Sequence, residues 1–187
     1  MAERTGSNDV LSRKRIVLIN GEIREEIVEN IAKELLRLEA ANPTEDITIF
    51  INSPGGSVIA GLAIHDIIKM IRCQVSTICY GQAASMAAVL LMAGDRGKRF
   101  ISPNARVLIH QPSGGAFGTA TEIETTALEI TRLKNRLNGL VSAYTGQPIE
   151  QVAIDMERDF YLDAEGAVRY GVVDAVRFPG EGAGISD

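Results

Sequence analysis

The first apolar run, residues 16–19 (Ile-Val-Leu-Ile), is short and ended by Asn20-Gly21, so it reads as a buried strand. From residue 22 to 40, Ile23, Ile27, Ile31, Leu35 and Leu38 recur at three or four residues. That is the period of an amphipathic helix, and Asn42-Pro43 stops it. Residues 47–51 give a second strand, and the turn Asn52-Ser53-Pro54-Gly55-Gly56-Ser57 leads into a helix running through Ile71. A strand over 75–79 is followed by a helix from about Ser85, and a strand over 105–109 ends in His110-Gln111-Pro112. Strands alternating with helices imply right-handed crossovers and a largely parallel sheet covered by helices.

Beyond this sheet the pattern changes. A glycine-rich stretch, 113–118, precedes a long helical pattern carried by Ile123, Ala127, Ile130, Leu133, Leu137, Leu140 and Val141. A helix placed there would project from the core and serve an interface. Pro148 opens a shorter helix to about residue 158, and 172–176 reads as a closing strand. Residues 1–14 lack periodicity and 179–187 are rich in glycine, so both are expected to be flexible tails around one domain, 15–178.

Composition narrows the function classes. An apolar fraction of 45% fits a globular chain, and a net charge of -5 gives no electrostatic footprint for nucleic acid. The start has no signal-peptide pattern, and the most apolar run, 83–93, is about half of a membrane span. No membrane association and a cytoplasmic location are expected. Cys73 and Cys79 lie in an apolar stretch with no metal-ligand spacing to the two histidines, so they read as reduced core thiols.

Ligands of open α/β sheets bind beyond the carboxyl ends of the strands. The Gly55-Gly56 turn, Ser85 and His110 all fall at such ends. Ser85, in Gly-Gln-Ala-Ala-Ser-Met-Ala, opens a helix among small residues. A serine hydroxyl is a weak nucleophile until a base takes its proton. On this segment alone, a tight alanine-rich helix contact accounts for the serine as well. His110, delivered by a strand end into a loop, supplies an imidazole, the side chain most often used as a general base. A solvated helix face accounts for the other histidine, His65, which precedes Asp66. A Gly56 N–H aimed at a developing oxyanion competes with a plain tight turn. An orienting acid is needed too, and spacing leaves the choice among Asp155, Asp159, Asp163 and Asp174 open. No Gly-x-x-x-x-Gly-Lys-Ser/Thr occurs, so the chain carries no phosphate loop.

Taken together, Ile-Asn-Ser-Pro-Gly-Gly (51–56), Ser-Thr-Ile-Cys-Tyr-Gly-Gln-Ala-Ala-Ser-Met (76–86), Gly-Lys-Arg-Phe (97–100), Pro-Asn-Ala-Arg-Val-Leu-Ile-His-Gln-Pro (103–112) and Glu-Arg-Asp-Phe (157–160) resemble the ClpP family of self-compartmentalising serine peptidases. The resemblance runs from about residue 15 to 178. It implies a crotonase-like α/β unit whose projecting helix, about 121–143, is a handle. It implies Ser85 as nucleophile, His110 as base, Asp159 as orienting acid, and the Gly56 and Met86 N–H groups as oxyanion hole. A glycine-rich strand after His110 would line the substrate cleft with Gly55, Gln111, Gly114 and Gly115, and Arg158 would belong to a ring–ring contact. Heptameric rings would stack as a tetradecamer enclosing the active sites. No metal or cofactor is implied, since ATP would be used by a partner AAA+ Clp ATPase that threads in unfolded protein substrates.

Two features depart from the family's pattern. The stretch before Arg15 is short, and Thr48 stands where an aromatic residue commonly lines the ATPase-docking pocket, with Phe50 nearby. They raise the expectation of a subunit that docks an ATPase poorly alone and relies on a paralogous ClpP ring. Ala87 replaces a glycine that often follows Ser-Met. The competing readings are a regulatory or structural subunit of a mixed ring and an enoyl-CoA hydratase-like enzyme of the same fold.

Overall fold

The structure of the protein, a computed structural model, describes residues 10–177. Its elements run β1 (Ile16–Asn20), α1 (Glu25–Ala41), β2 (Ile47–Ser53), α2 (Val58–Met70), β3 (Val75–Ala84), α3 (Met86–Met92), β4 (Arg99–Ile101), β5 (Arg106–Ile109), α4 (Ala120–Thr145), α5 (Ile149–Asp155), β6 (Phe160–Leu162), α6 (Ala164–Tyr170) and β7 (Ala175–Val176). The strands form one sheet in the order β1-β2-β3-β4-β7, and β5 branches from β3 to pair with β6. Every pairing is parallel except β5 with β6. The fold is therefore the mixed α/β, mostly parallel, helix-flanked class expected from the alternation.

Strand β3 organises the molecule. Its first half pairs with β4 through Thr77, Ile78 and Cys79, and its last residues pair with β5 through Gln82, Ala83 and Ala84. Against β2 the register runs Ile51 to Cys79 and then Ser53 to Ala83, so β3 carries extra residues around Gly81. Gly81 has φ +78°, and a Cβ there would meet Asn52 Oδ1 at 2.6 Å. The irregularity bends β3 away from β4 toward β5. Sequence periodicity ends this strand at Cys79; the structure carries it on to Ala84 because the bulge interrupts the alternation.

The core gathers beneath helices α1, α2 and α3, with Ile19, Ile49, Ile51, Leu35, Ile64, Met86, Leu90 and Leu91 essentially inaccessible. Helix α3 is buried at all seven positions, as a helix apolar all round should be. Buried Arg15 donates to the carbonyls of Leu38 and Asn42 at the end of α1 and to those of Glu45 and Asp46. It thereby ties the end of α1 to the turn that follows it. Of the first expected tail, residues 10–14 are described, and Lys14 N–H donates to Val10 O at 3.0 Å in a helical turn. Residues 1–9 and 178–187 lie outside the described residues, and with them the remainder of both expected tails.

Helix α4 has 26 residues, and only Leu137, Asn138 and Val141 are buried. Its carboxyl half roots in the core while its amino half stands clear. The glycine-rich stretch before it forms no strand ladder. Among the described residues no strand pairs with it, and extended backbone without a partner makes no sheet bonds.

Both cysteines are buried and unjoined. Burial pushes the Cys79 thiol up to about 12. His65 is a correction: its side chain is buried, not solvated. Its Nδ1 lies 2.9 Å from Asp66 Oδ1 and its Nε2 2.6 Å from the Tyr144 hydroxyl at the root of α4. Tyr144 reaches it from another helix, 79 residues along the chain, a contact that a local reading cannot see.

Candidate functional site

The bend in β3 aims its last residues at the open carboxyl edge of the sheet. Ser85 follows at φ 56°, ψ −125°, as the N-cap of α3. Positive φ is costly for a residue with a Cβ, of order 1–3 kcal/mol, and persists only where the surroundings over-determine it. Here the Ser85 N–H is held by Leu108 O at 2.8 Å, which continues the β3–β5 ladder, and Met86 is buried immediately after it. The Ser85 side chain makes no cap bond, and the residue is half-buried.

The same two ladders bring in the histidine and a carboxylate. Strand β5 pairs antiparallel with β6, Val107 with Leu162, Leu108 with Tyr161 and Ile109 with Phe160. One step further in this register His110 faces Asp159. Directly opposed residues of antiparallel strands share a face, and His110 Nδ1 lies 3.4 Å from Asp159 Oδ1. The two side chains are 29% and 58% exposed.

The other three acids are committed elsewhere. Asp155 accepts from the Tyr170 hydroxyl at 2.7 Å and from Gln151. Asp163 caps α6 by accepting the Gly166 N–H at 2.7 Å. Asp174 takes both Nε and Nη2 of buried Arg99. Burial pushes its carboxyl up, but these bonds and the Arg99 charge outweigh that and hold it below the usual range. Only Asp159 of the four stands beside the imidazole.

Gly55 and Gly56 close the site from the other side. Gly55 has φ +89°, and a Cβ on it would lie 2.7 Å from Ser85 Cβ and 3.2 Å from Met86 N, so this turn packs directly on the serine. A buried hydroxyl holds it there, with Gly55 N–H donating to Ser53 Oγ at 3.1 Å. Gly56 bridges Ile23 in parallel fashion: Ile23 N–H donates to Gly55 O and Ser57 N–H to Ile23 O, both at 2.8 Å. In that pattern Gly56's own N–H turns away from Ile23. Met86 follows the serine as the first residue of α3, and its N lies 3.2 Å from the position a Gly55 Cβ would take.

Of the remaining expected positions, Gln111 is half-buried and its amide Nε2 donates to Glu157 O at 2.9 Å. Gly114 lies over Ile130 of α4, with its would-be Cβ 3.0 Å from Cδ1, while Gly115 has open space around it. Arg158 is exposed, one residue before Asp159. Sequence reading missed Leu108 O and Ser53 as supports. Ser53 was visible in principle: in β2 the buried positions alternate Ile47, Ile49, Ile51, Ser53, and a hydroxyl on the buried side must find a partner. Among the described residues no three His, Cys, Asp or Glu are grouped to hold a metal ion, and no helix is long and apolar enough to cross a membrane.

Fold and site together define an α/β protein of the crotonase-like kind with a serine, an imidazole and a carboxylate gathered at one sheet edge. The family model described as Clp protease matches residues 3–179, and the chain belongs to that family. The family is one of ClpP-type serine peptidases, whose members generally oligomerise and work with Clp ATPases.

Proposed function

We propose that the chain is the proteolytic subunit of an ATP-dependent Clp protease, with Ser85 as nucleophile, His110 as base and Asp159 as orienting acid. The observation that carries this reading is the register: one ladder fixes Ser85 against Leu108 and the next sets Asp159 opposite His110. His110 takes the Ser85 proton as the hydroxyl attacks a peptide carbonyl. The Gly56 and Met86 N–H groups receive the oxyanion, and each such donor is typically worth about 10²–10³ in rate. The imidazolium then protonates the leaving amine, and water repeats the cycle on the acyl-enzyme. Asp159 fixes the ring's tautomer and stabilises its charge.

In this reading the active sites lie inside a tetradecamer of two stacked heptameric rings in the cytoplasm, with Arg158 at the ring–ring contact. Gly55, Gln111, Gly114 and Gly115 line the substrate cleft. The chain uses no cofactor; an AAA+ ATPase unfolds substrates and spends the ATP.

The test is hydrolysis of a small fluorogenic peptide by the native particle, with covalent labelling by a serine-directed phosphonofluoridate. Wild type is expected to hydrolyse the peptide and carry the label on Ser85. Ser85→Ala should lose about 10⁶ in kcat and take no label. An active, unlabelled particle would overturn the assignment.

One observation favours a second reading. Thr48 of β2, half-buried beside Phe50, supplies no aromatic ring to a docking pocket. This supports a subunit that docks an ATPase weakly by itself and works beside a paralogous ClpP ring. Strong stimulation of the purified homo-oligomer by a Clp ATPase would count against it.

A further inference from the structure

Asp159 reaches His110 from the turn between α5 and β6, so the imidazole–carboxylate distance depends on how that turn is held. Two of the bonds that hold it come from one residue. Gln111, next to His110, donates its backbone N–H to Met156 O at 2.6 Å and its side-chain Nε2 to Glu157 O at 2.9 Å. Glu157 is held in turn from α4, where Lys134 Nζ meets its carboxylate at 2.7 Å. That hydrogen bond and charge, with smaller help from Gln111 and Arg158, keep the Glu157 carboxyl below the usual range.

We infer that Gln111 is a positioning residue for the His110–Asp159 pair, acting through the 156–157 turn that its main chain and side-chain amide both grip. The inference rests on the proposed serine-peptidase reading. The register of β5 and β6 ends at Ile109 and Phe160, one residue short of the pair. Beyond that point sheet bonds no longer fix the spacing, and the Gln111 tethers take over. The contact is 3.4 Å long and both side chains are partly open to water. The amide donor spends itself on protein rather than on a ligand, so its loss should be felt in the chemical step and not in peptide binding.

Gln111→Met keeps the length of the side chain and the backbone bond but removes the amide donor. The assay compares kcat and KM for a small peptide with the rate of Ser85 labelling by a phosphonofluoridate, on particles of verified native mass. Misplacement of a catalytic group by about 1 Å costs on the order of 10²-fold. Gln111→Met should therefore lower kcat and the labelling rate together, by about 10- to 100-fold, with KM unchanged. A raised KM with kcat and labelling intact would overturn the inference in favour of substrate contact. Wild-type rates throughout would also overturn it. If the variant does not assemble, Gln111→Glu, which keeps size but turns a carboxylate on Glu157 O, is measured instead, with the same outcomes deciding. Wild type that neither hydrolyses peptide nor takes label at Ser85 would sink the peptidase reading itself, which separates the two failures.

Discussion

The sheet sets two nitrogen-bearing side chains, a guanidinium and an imidazole, against carboxylates, one pair at each end, and the pairs are built in opposite ways. At the amino ends of β4 and β7, Arg99 meets Asp174 through Nε at 3.1 Å and Nη2 at 2.6 Å. Its own N–H adds a third bond to the same carboxylate, and Nη1 reaches Tyr144 O. The side chains are only 6% and 23% exposed. At the carboxyl edge, His110 and Asp159 make one contact at 3.4 Å and stand far more open. A fully bonded, desolvated pair resists any change of partner, because breaking it strands a charge. A pair that must pass a proton needs a ring free to accept and give it. The first pair locks the fold; the second is left available for chemistry.

Cutting each pair at its acid should separate the two jobs. The largest effect is expected from Asp159→Asn, which keeps shape but not charge: kcat for a small peptide should fall by about 10⁴-fold. Its thermal midpoint should stay within a degree or two of wild type, because the carboxylate is mostly solvated. Near-normal kcat would remove Asp159 from the assignment.

Asp174→Asn should do the reverse. Leaving Arg99 buried without its anion costs about 3–5 kcal/mol, read by denaturant unfolding, while the folded fraction keeps its kcat. The pH dependence has a definite sign. The folded-state pKa of Asp174 is lowered relative to the unfolded chain, whose Asp titrates near ~3.9. The stabilisation is therefore whole above that value and is lost as pH falls through the lower, folded one. Wild type should show this acid limb of stability, and Asp174→Asn should lack it.

Two glycines sharpen the contrast at a smaller scale. Gly55 and Gly97 both have left-handed φ, +89° and +82°. A Cβ on Gly97 has nothing within 4 Å, whereas one on Gly55 meets Ala84 O at 2.6 Å and Ser85 Cβ at 2.7 Å. Gly97→Ala should cost about 1 kcal/mol from backbone conformation alone. Gly55→Ala should add about 1–3 kcal/mol for crowding and displace the serine, lowering kcat as well. Equal behaviour of the two variants would mean that the turn does not press on the site.

These pairs also mark how far the sequence could be read. His110 was legible because it ends an apolar run long enough to be seen as a strand, and Ser85 because it opens the helix that follows one. The acid was not, because β6 has three residues and pairs through tertiary register rather than through any local pattern. Strand β4, with three residues, and helix α6, with seven, escaped for the same reason. Arg99 and Asp174 are 75 residues apart in the chain, and nothing local announces that they meet. The family resemblance named Asp159; the residues alone left four candidates, and the structure occupies three of them.

The smallest expected effect lies in α4, which belongs to the locked region at its root and to neither region at its tip. Thr119 Oγ accepts the Glu122 N–H, and the Glu122 carboxylate takes the Thr119 N–H at 2.7 Å, a reciprocal cap. The bonds from Thr119 hold the Glu122 carboxyl below its ordinary value, so this part of the cap is complete above the usual glutamate range and fades as pH drops through the lower folded value. No residue of α4 before Leu137 is buried, so losing the cap should fray the first turns without unfolding the domain. Thr119→Ala is expected to remove about 1 kcal/mol of local helix stability, seen as several-fold faster amide exchange over residues 120–126. The exchange of 137–141 and the global unfolding midpoint should not move. If they did, the exposed half of the helix would be carrying stability that its packing gives no account of, and the division between a locked root and a free tip would fail.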